Sequence, residues 1–196
     1  MTKEQPKSPR ARLFVALDLA DETREGIVAW GREALADPAL RPVAPESLHV
    51  TLAFLGNRPE QEIERIAEAV RESEGPAPWV ELRDPEQRPP RGRARLFALP
   101  AISPGAEALQ AGLAQRLTQE GFYEPEERPF WPHVTVARVR PEARGSRRPM
   151  VVSEPPGPVP EALTEPRIAV RMTLYRSVLL PSGAQYVPLA QVELPG

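Results

Sequence analysis

LHVTLAFL, residues 48–55, and FWPHVTVARV, residues 130–139, decide how this chain is read. Each is a run of apolar, hydroxylated and aromatic residues with the period of two that marks a β-strand. Each also carries one of only two histidines in 196 residues, at the head of the same pattern: His49-Val50-Thr51-Leu52 and His133-Val134-Thr135-Val136. Given the chain's own Val and Thr content, both histidines are followed by Val-Thr with a probability of roughly one in 100,000, so coincidence is the weaker explanation.

Working outward, Arg12 to Leu19 sets Leu13, Val15, Leu17 and Leu19 against Phe14, Ala16 and Asp18, which reads as a half-buried strand. Asp21 is the expected N-cap of a helix carrying Ile27, Trp30 and Ala34, which stops before Asp37-Pro38. After the first motif, Gly56-Asn57 ends the strand, and Ile63, Ile66, Ala67 and Val70 recur at helical spacing. Trp79 to Leu82 and Ala94 to Leu99 read as short strands around a loop at Pro85 to Arg93. Ser103, with Pro104 behind it, caps a helix whose stripe is Leu109, Leu113 and Leu117 and which Gly121 ends. Arg140 to Pro160, rich in Pro, Gly and Arg, is expected to be exposed and poorly ordered. Ile168 to Leu180 and Gln185 to Leu194 flank Pro181-Ser182-Gly183 as a hairpin. The elements add up to an α+β chain, expected as one two-lobed domain over residues 1–196 with a flexible tail at 1–10.

Composition narrows the chemistry. The chain has no cysteine, so thiol nucleophiles and sulfur-ligated zinc are excluded. It has no Gly-Lys pair for a triphosphate loop, no Gly-x-Gly dinucleotide turn and no Gly-x-Ser-x-Gly elbow. No eighteen apolar residues run together, which leads to the expectation of a soluble, cytoplasmic protein with no membrane partner. With a formal net charge of -2, any nucleic-acid contact is expected to be local. The 26 prolines and the excess of arginine over lysine fit either thermostability or codon usage.

Alternation places His49 and Thr51 on one face of their strand and Val50, Leu52 and Phe54 on the other, and the second motif repeats this. If the two strands lie side by side or face a common groove, two imidazoles and two hydroxyls converge on one small anion, for which a phosphodiester is the natural fit. One histidine can take a proton from a nucleophile while the other gives one to the departing oxygen. Uncharged threonines hold nonbridging oxygens and leave the histidines free to titrate. A lone histidine on a strand would read as surface or core, and His-x-Thr lacks the neighbouring ligands of metal motifs; two matched copies favour catalysis.

These motifs, together with RLFVALDL, HVTLAFLG, PHVTVAR and the closing LYRSVLLPSGAQYVPL, resemble the two-histidine phosphoesterases, specifically the RNA 2',3'-cyclic phosphodiesterases also called 2'-5' RNA ligases. The resemblance implies a bilobal fold with pseudo-twofold symmetry, antiparallel sheets lining a central cleft and helices outside. It implies hydrolysis of RNA 2',3'-cyclic phosphate ends to 2'-phosphates, with His49 as proton donor, His133 as proton acceptor and Thr51 and Thr135 on the phosphate. It also implies ATP-independent 2'-5' ligation, no cofactor and no metal, in a monomer acting on RNA ends, tRNA-derived fragments among them. Arg138 matches an arginine that the family places after its second motif, yet strict alternation points it away from His133, so either the strand bulges near Ala137 or Arg138 is structural. Phe14, and Tyr175 or Tyr186, are candidates for stacking on a base, and Arg91, Arg93 and Arg95 for the RNA backbone; core packing and a solvated loop are their plainer readings. Two rival functions stay open: a phosphodiesterase for a small cyclic nucleotide or ADP-ribose cyclic phosphate, and a non-catalytic RNA-end binding module.

Overall fold

The computed structural model describes residues 9–73, 75–180 and 183–195. Its elements in chain order are β1 (Arg10–Asp18), α1 (Asp21–Ala34), β2 (Leu40–Pro42), β3 (His49–Pro59), α2 (Ile63–Arg71), β4 (Trp79–Leu82), β5 (Glu86–Arg88), β6 (Leu96–Ile102), α3 (Pro104–Gln119), β7 (His133–Val139), the single helical turn α4 (Glu161–Thr164), β8 (Arg167–Ile168), β9 (Arg171–Leu180) and β10 (Gly183–Glu193). The α+β class is as expected. The flexible tail expected at residues 1–10 falls mostly on residues 1–8, which lie outside the described residues.

The strands hydrogen-bond in the order β10-β9-β1-β3-β7-β6-β4-β8, with β2 added to β7 and β5 to β6. Two antiparallel halves meet at β3 and β7, whose pairing is the single register position Val50↔Val134. About this junction β1 corresponds to β6 and β9 to β4. Each half takes its next strand from the other half's repeat: β4, which follows β3 and α2, pairs with β6, and β9, which follows β7 and α4, pairs with β1.

Burial explains the placement. Val50, Leu52, Val134 and Val136 are at most 3% exposed and join one core with Ile66, Val70, Leu113 and Leu117 of α2 and α3. Ser103 caps α3 as expected, its hydroxyl accepting from the Ala106 amide at 3.2 Å, and Gly121 leaves the helix at a φ of 75° that other residues rarely adopt. At α1 the N-cap is Ala20, not Asp21; Asp21 lies in the first turn, where its carboxylate faces the helix dipole and pairs with Arg24. β1 is not half-buried. Phe14, Ala16 and Asp18 are as covered as Leu13 and Val15, because β1 lies between β3 and β9 and its second face is roofed by the cleft's own aromatic side chains.

Residues 140–160 hold no helix or long strand, yet they are not loose. Asp37 accepts hydrogen bonds from the amides of Ser153 (2.8 Å) and Glu154 (2.9 Å), from the Ser153 hydroxyl (2.9 Å) and from the Ala39 amide (2.7 Å). The backbone bonds to Glu154 and Ala39 are the main reason its carboxyl pKa falls to about 2. The Trp30 indole donates to the Pro158 carbonyl, and the Val159 amide to Asp84. Proline has no amide to satisfy, so a few anchors fix a segment whose composition suggested disorder.

Candidate active site

The register at Val50↔Val134 builds the site. With those two residues opposite each other on the core face, His49 stands across from Thr135 and Thr51 across from His133 on the other face. The four side chains form a quadrilateral with the imidazoles at one pair of opposite corners and the hydroxyls at the other. Diagonal positions in such a ladder lie about 7–8 Å apart, which leaves room for a phosphate between the histidines. All four line a cleft of about 720 Å³, and no residue of α1 to α4 lines it among those described.

Each motif strand then breaks its alternation in the same way. On β3 the register moves from Ala16↔Thr51 to Val15↔Ala53, leaving Leu52 as a bulge. On β7 it moves from Ala98↔Thr135 to Phe97↔Ala137, leaving Val136 as a bulge. A bulge adds one residue and reverses the phase of those beyond it. Phe54 therefore turns into the cleft, contrary to the strict alternation that placed it with Val50 and Leu52, and Arg138 turns into it as well. The two are equivalents across the junction, and the open choice for Arg138 resolves to the bulged strand.

The histidines have different surroundings. His49 lies in an aromatic cage: Phe14 stacks on it at 5.1 Å between ring centroids, and Tyr186 meets it edge-on at 5.4 Å. Burial lowers its pKa to about 4, with His133 and Arg138 adding to the depression and a backbone hydrogen bond to Ser47 opposing it. Phe14, only 4% exposed, is thus occupied by His49; the exposed aromatic of the cleft is Phe54, 43% exposed with the Arg12 guanidinium 4.8 Å over its ring. Tyr175 stacks on Phe14 and donates its hydroxyl to Asp18 at 2.8 Å, which Thr173 also does. Arg171 forms an ion pair with the same carboxylate at 3.2 Å. Burial first, then Asp18, pushes the Tyr175 phenol up to about 12.

His133 is held by Trp131 twice over. Its Nδ1 lies 2.7 Å from the Trp131 carbonyl, an acceptor only, so in the neutral ring the proton sits on Nδ1 and Nε2 carries a free lone pair. The Trp131 ring stacks on the imidazole at 4.0 Å, and Arg88 caps the far face of the indole at 3.6 Å. Burial lowers the His133 pKa and the Arg88 charge adds to this, against the Trp131 hydrogen bond.

Arg41 of β2 also lines the cleft, opposite Arg138. Arg91, Arg93 and Arg95 do not; Arg93 is bonded to Glu142 and the Pro149 carbonyl, and Arg95 to the Arg147 carbonyl. Among the described residues, no group of three or more His, Asp or Glu side chains is placed to hold a metal ion, and no helix is long and apolar enough to cross a membrane.

The family model described as the 2'-5' RNA ligase superfamily matches residues 19–158. A Thermus thermophilus protein named RNA 2',3'-cyclic phosphodiesterase is 33% identical over 94% of this chain and 91% of its own length. The Escherichia coli protein of the same name is 31% identical over 93% of this chain and 96% of its own. Among solved structures, a Thermus thermophilus protein superposes with a TM-score of 0.77 at 30% identity, covering 94% of this chain and 98% of that one. Escherichia coli LigT complexed with 3'-AMP gives 0.71 at 28%, covering 95% and 99%.

Proposed function

Because the chain belongs to the 2'-5' RNA ligase superfamily, we propose that it opens the 2',3'-cyclic phosphate ends of RNA, leaving a 2'-phosphate. The observation that carries this reading is the quadrilateral set by Val50↔Val134. Displacement at phosphorus is in line: nucleophile and leaving group stand on opposite sides, and the nonbridging oxygens lie between them. Histidines on one diagonal and threonine hydroxyls on the other match that division.

In the proposed reaction Nε2 of neutral His133 takes a proton from water as the water oxygen bonds to phosphorus. The P–O3' bond breaks, and protonated His49 gives its proton to the departing O3'. Thr51 and Thr135 donate to the nonbridging oxygens. The product is a 2'-phosphomonoester beside a free 3'-hydroxyl, with His133 charged and His49 neutral until solvent exchanges their protons. An RNA 5'-hydroxyl in place of water gives a 2'-5' linkage by the same bond changes, without ATP. The bond from Nδ1 to the Trp131 carbonyl supports His133 as acceptor. For His49 the donor role requires the substrate's own charge to restore the proton that burial removes. The proposed working form is a monomer in the cytoplasm, one chain supplying both histidines and both threonines of the cleft.

The test is to incubate the pure protein with a cyclic-phosphate oligoribonucleotide, excess chelator and no ATP, then identify the product end. A 2'-phosphate is expected. Binding with no product would replace the enzyme by an end-binding module, and a 3'-phosphate would reverse the leaving group.

A further inference from the structure

Exposed arginines occur over the whole surface, but two segments gather them. Residues 86–95 (EQRPPRGRAR) and 140–148 (RPEARGSRR) hold eight arginines and two glutamates, which leaves 17 of the chain's 25 basic residues against 25 of its 27 acidic ones everywhere else. The fold brings the two segments together. The Arg93 side chain pairs with Glu142 and donates to the Pro149 carbonyl at 3.0 Å, the Arg95 side chain donates to the Arg147 carbonyl at 3.4 Å, and Pro141 bridges to Pro149. The Gln87 side-chain amide holds the tip of the first segment by donating to the carbonyls of Pro89 (3.1 Å) and Gly92 (3.2 Å). Both glutamates are engaged from within, Glu86 by Arg88 at 3.0 Å and Glu142 by Arg93 and Arg148. Arg91, Arg144 and Arg147 are left exposed on a fixed platform. Loose arginine loops would let like charges drift apart, whereas these are pinned, and a positive surface on an otherwise acidic protein draws and orients a polyanion.

The platform abuts the second histidine. Arg88, the last residue of β5, lies 3.6 Å from the centre of the Trp131 ring, which itself stacks on His133 at 4.0 Å. The aromatic cage of His49 comes instead from β1, β9 and β10. In the reaction proposed above His133 takes the proton of the nucleophile. Water needs no platform to reach it, but a strand that offers a 5'-hydroxyl trails its phosphates away from the same place. We propose that the arginine platform holds the backbone phosphates of the attacking RNA strand and so decides between 2'-5' joining and hydrolysis. This rests on that reaction: the 5'-hydroxyl gives its proton to His133 as its oxygen bonds to phosphorus and O3' leaves.

The experiment supplies a cyclic-ended hexaribonucleotide with one of two acceptors, a 5'-hydroxyl hexaribonucleotide or a lone nucleoside, and measures the 2'-5' joined and 2'-phosphate products. It compares the wild type with Arg91→Gln/Arg144→Gln/Arg147→Gln and with Arg32→Gln/Arg65→Gln/Arg71→Gln, which removes three charges from α1 and α2 instead. With the hexamer acceptor the platform variant should lower the joined-to-hydrolysed ratio about thirtyfold, roughly threefold for each exposed contact. It should also flatten the dependence of log kcat/KM for joining on log salt by about 2, roughly 0.7 for each phosphate released. Its hydrolysis rate and its joining to the nucleoside, which carries no phosphate, should stay at wild type, its melting temperature should hold or rise, and the helix variant should keep the ratio. An unchanged ratio, an equal fall in the helix variant or with the nucleoside, or a wild type that hydrolyses but joins nothing overturns the platform while leaving hydrolysis intact. A fall in hydrolysis that matches the fall in joining puts the cyclic-ended strand on these arginines and overturns the assignment too. If the wild type opens no cyclic phosphate, the proposed reaction itself fails.

Discussion

Substrate binding should put a proton on His49. Its pKa is about 4, so at pH 7 roughly one molecule in 1,000 carries the proton a donor needs. Bringing it to half-protonation at pH 7 takes about three pH units, or about 4 kcal/mol. A cyclic phosphodiester brings one negative charge; at about 4 Å and an effective dielectric constant of about 20, that charge is worth about 4 kcal/mol to an imidazolium. The two magnitudes match, so the substrate alone can recruit its own acid. The assay is an NMR titration of the imidazole in His133→Ala, where the proposed base is gone, the cyclic nucleotide survives, and His49 is the sole remaining histidine. The pKa should lie near 4 without nucleotide, slightly higher than in the wild type because a neighbouring charge is lost, and near 7 with it. A value of 6.5 or more in the free protein refutes the burial argument. A value still below 5 with nucleotide bound refutes His49 as donor.

His49→Ala and His133→Ala should each lower the hydrolysis rate by about 100- to 10,000-fold with little change in melting temperature; full activity in either removes that residue from the mechanism. Arg88→Gln removes a charge that depresses the His133 pKa, so the limb on which rate rises with pH should move to higher pH, and an unmoved limb denies Arg88 any influence on the base. His49 is depressed below its unfolded value of 6.5, so its contribution to stability is complete above pH 6.5 and about 3 kcal/mol is lost as pH falls to about 4; chemical denaturation of His49→Gln over that range should lack this loss. Asp37→Asn should lower the melting temperature and speed proteolysis within residues 150–158, and equal cleavage in both proteins would show that the segment is fixed by something else.

Much of the fold is legible in the sequence because single faces are buried. The stripes of α2 and α3 and the strand Trp79–Leu82 follow their apolar periods, β3 does so only up to Leu52 and runs on to Pro59 past the Gly56-Asn57 expected to end it, and paired His-x-Thr motifs mark the centre of the cleft. What is not legible depends on partners distant in sequence. Strict period two misplaces Phe54 and leaves Arg138 open, since a bulge is a property of the neighbouring strand's register, here β1 and β6. Arg41 lies in a three-residue strand too short to carry a pattern. Phe14 reads as a platform for a base because nothing local reveals that His49 already covers it. Asp18 is the available clue to the Tyr175 network: a carboxylate on the same face of β1 as Phe14 and Ala16, in a strand otherwise apolar from Leu13 onward, requires donors from somewhere.

The exchange of β4 and β9 between the halves bears on how the molecule comes apart. A ribosome that has delivered β1 to β3 has made an edge whose neighbour, β9, is still more than a hundred residues away, so that half cannot close before the chain is nearly complete, whereas β4, β6 and β7 are all made by Val139. Cleaving the connection between β4 and β6 would leave two fragments, each holding a strand the other lacks. They should be insoluble or unfolded apart and regain shape only when mixed, as complementing pieces of one cooperative unit.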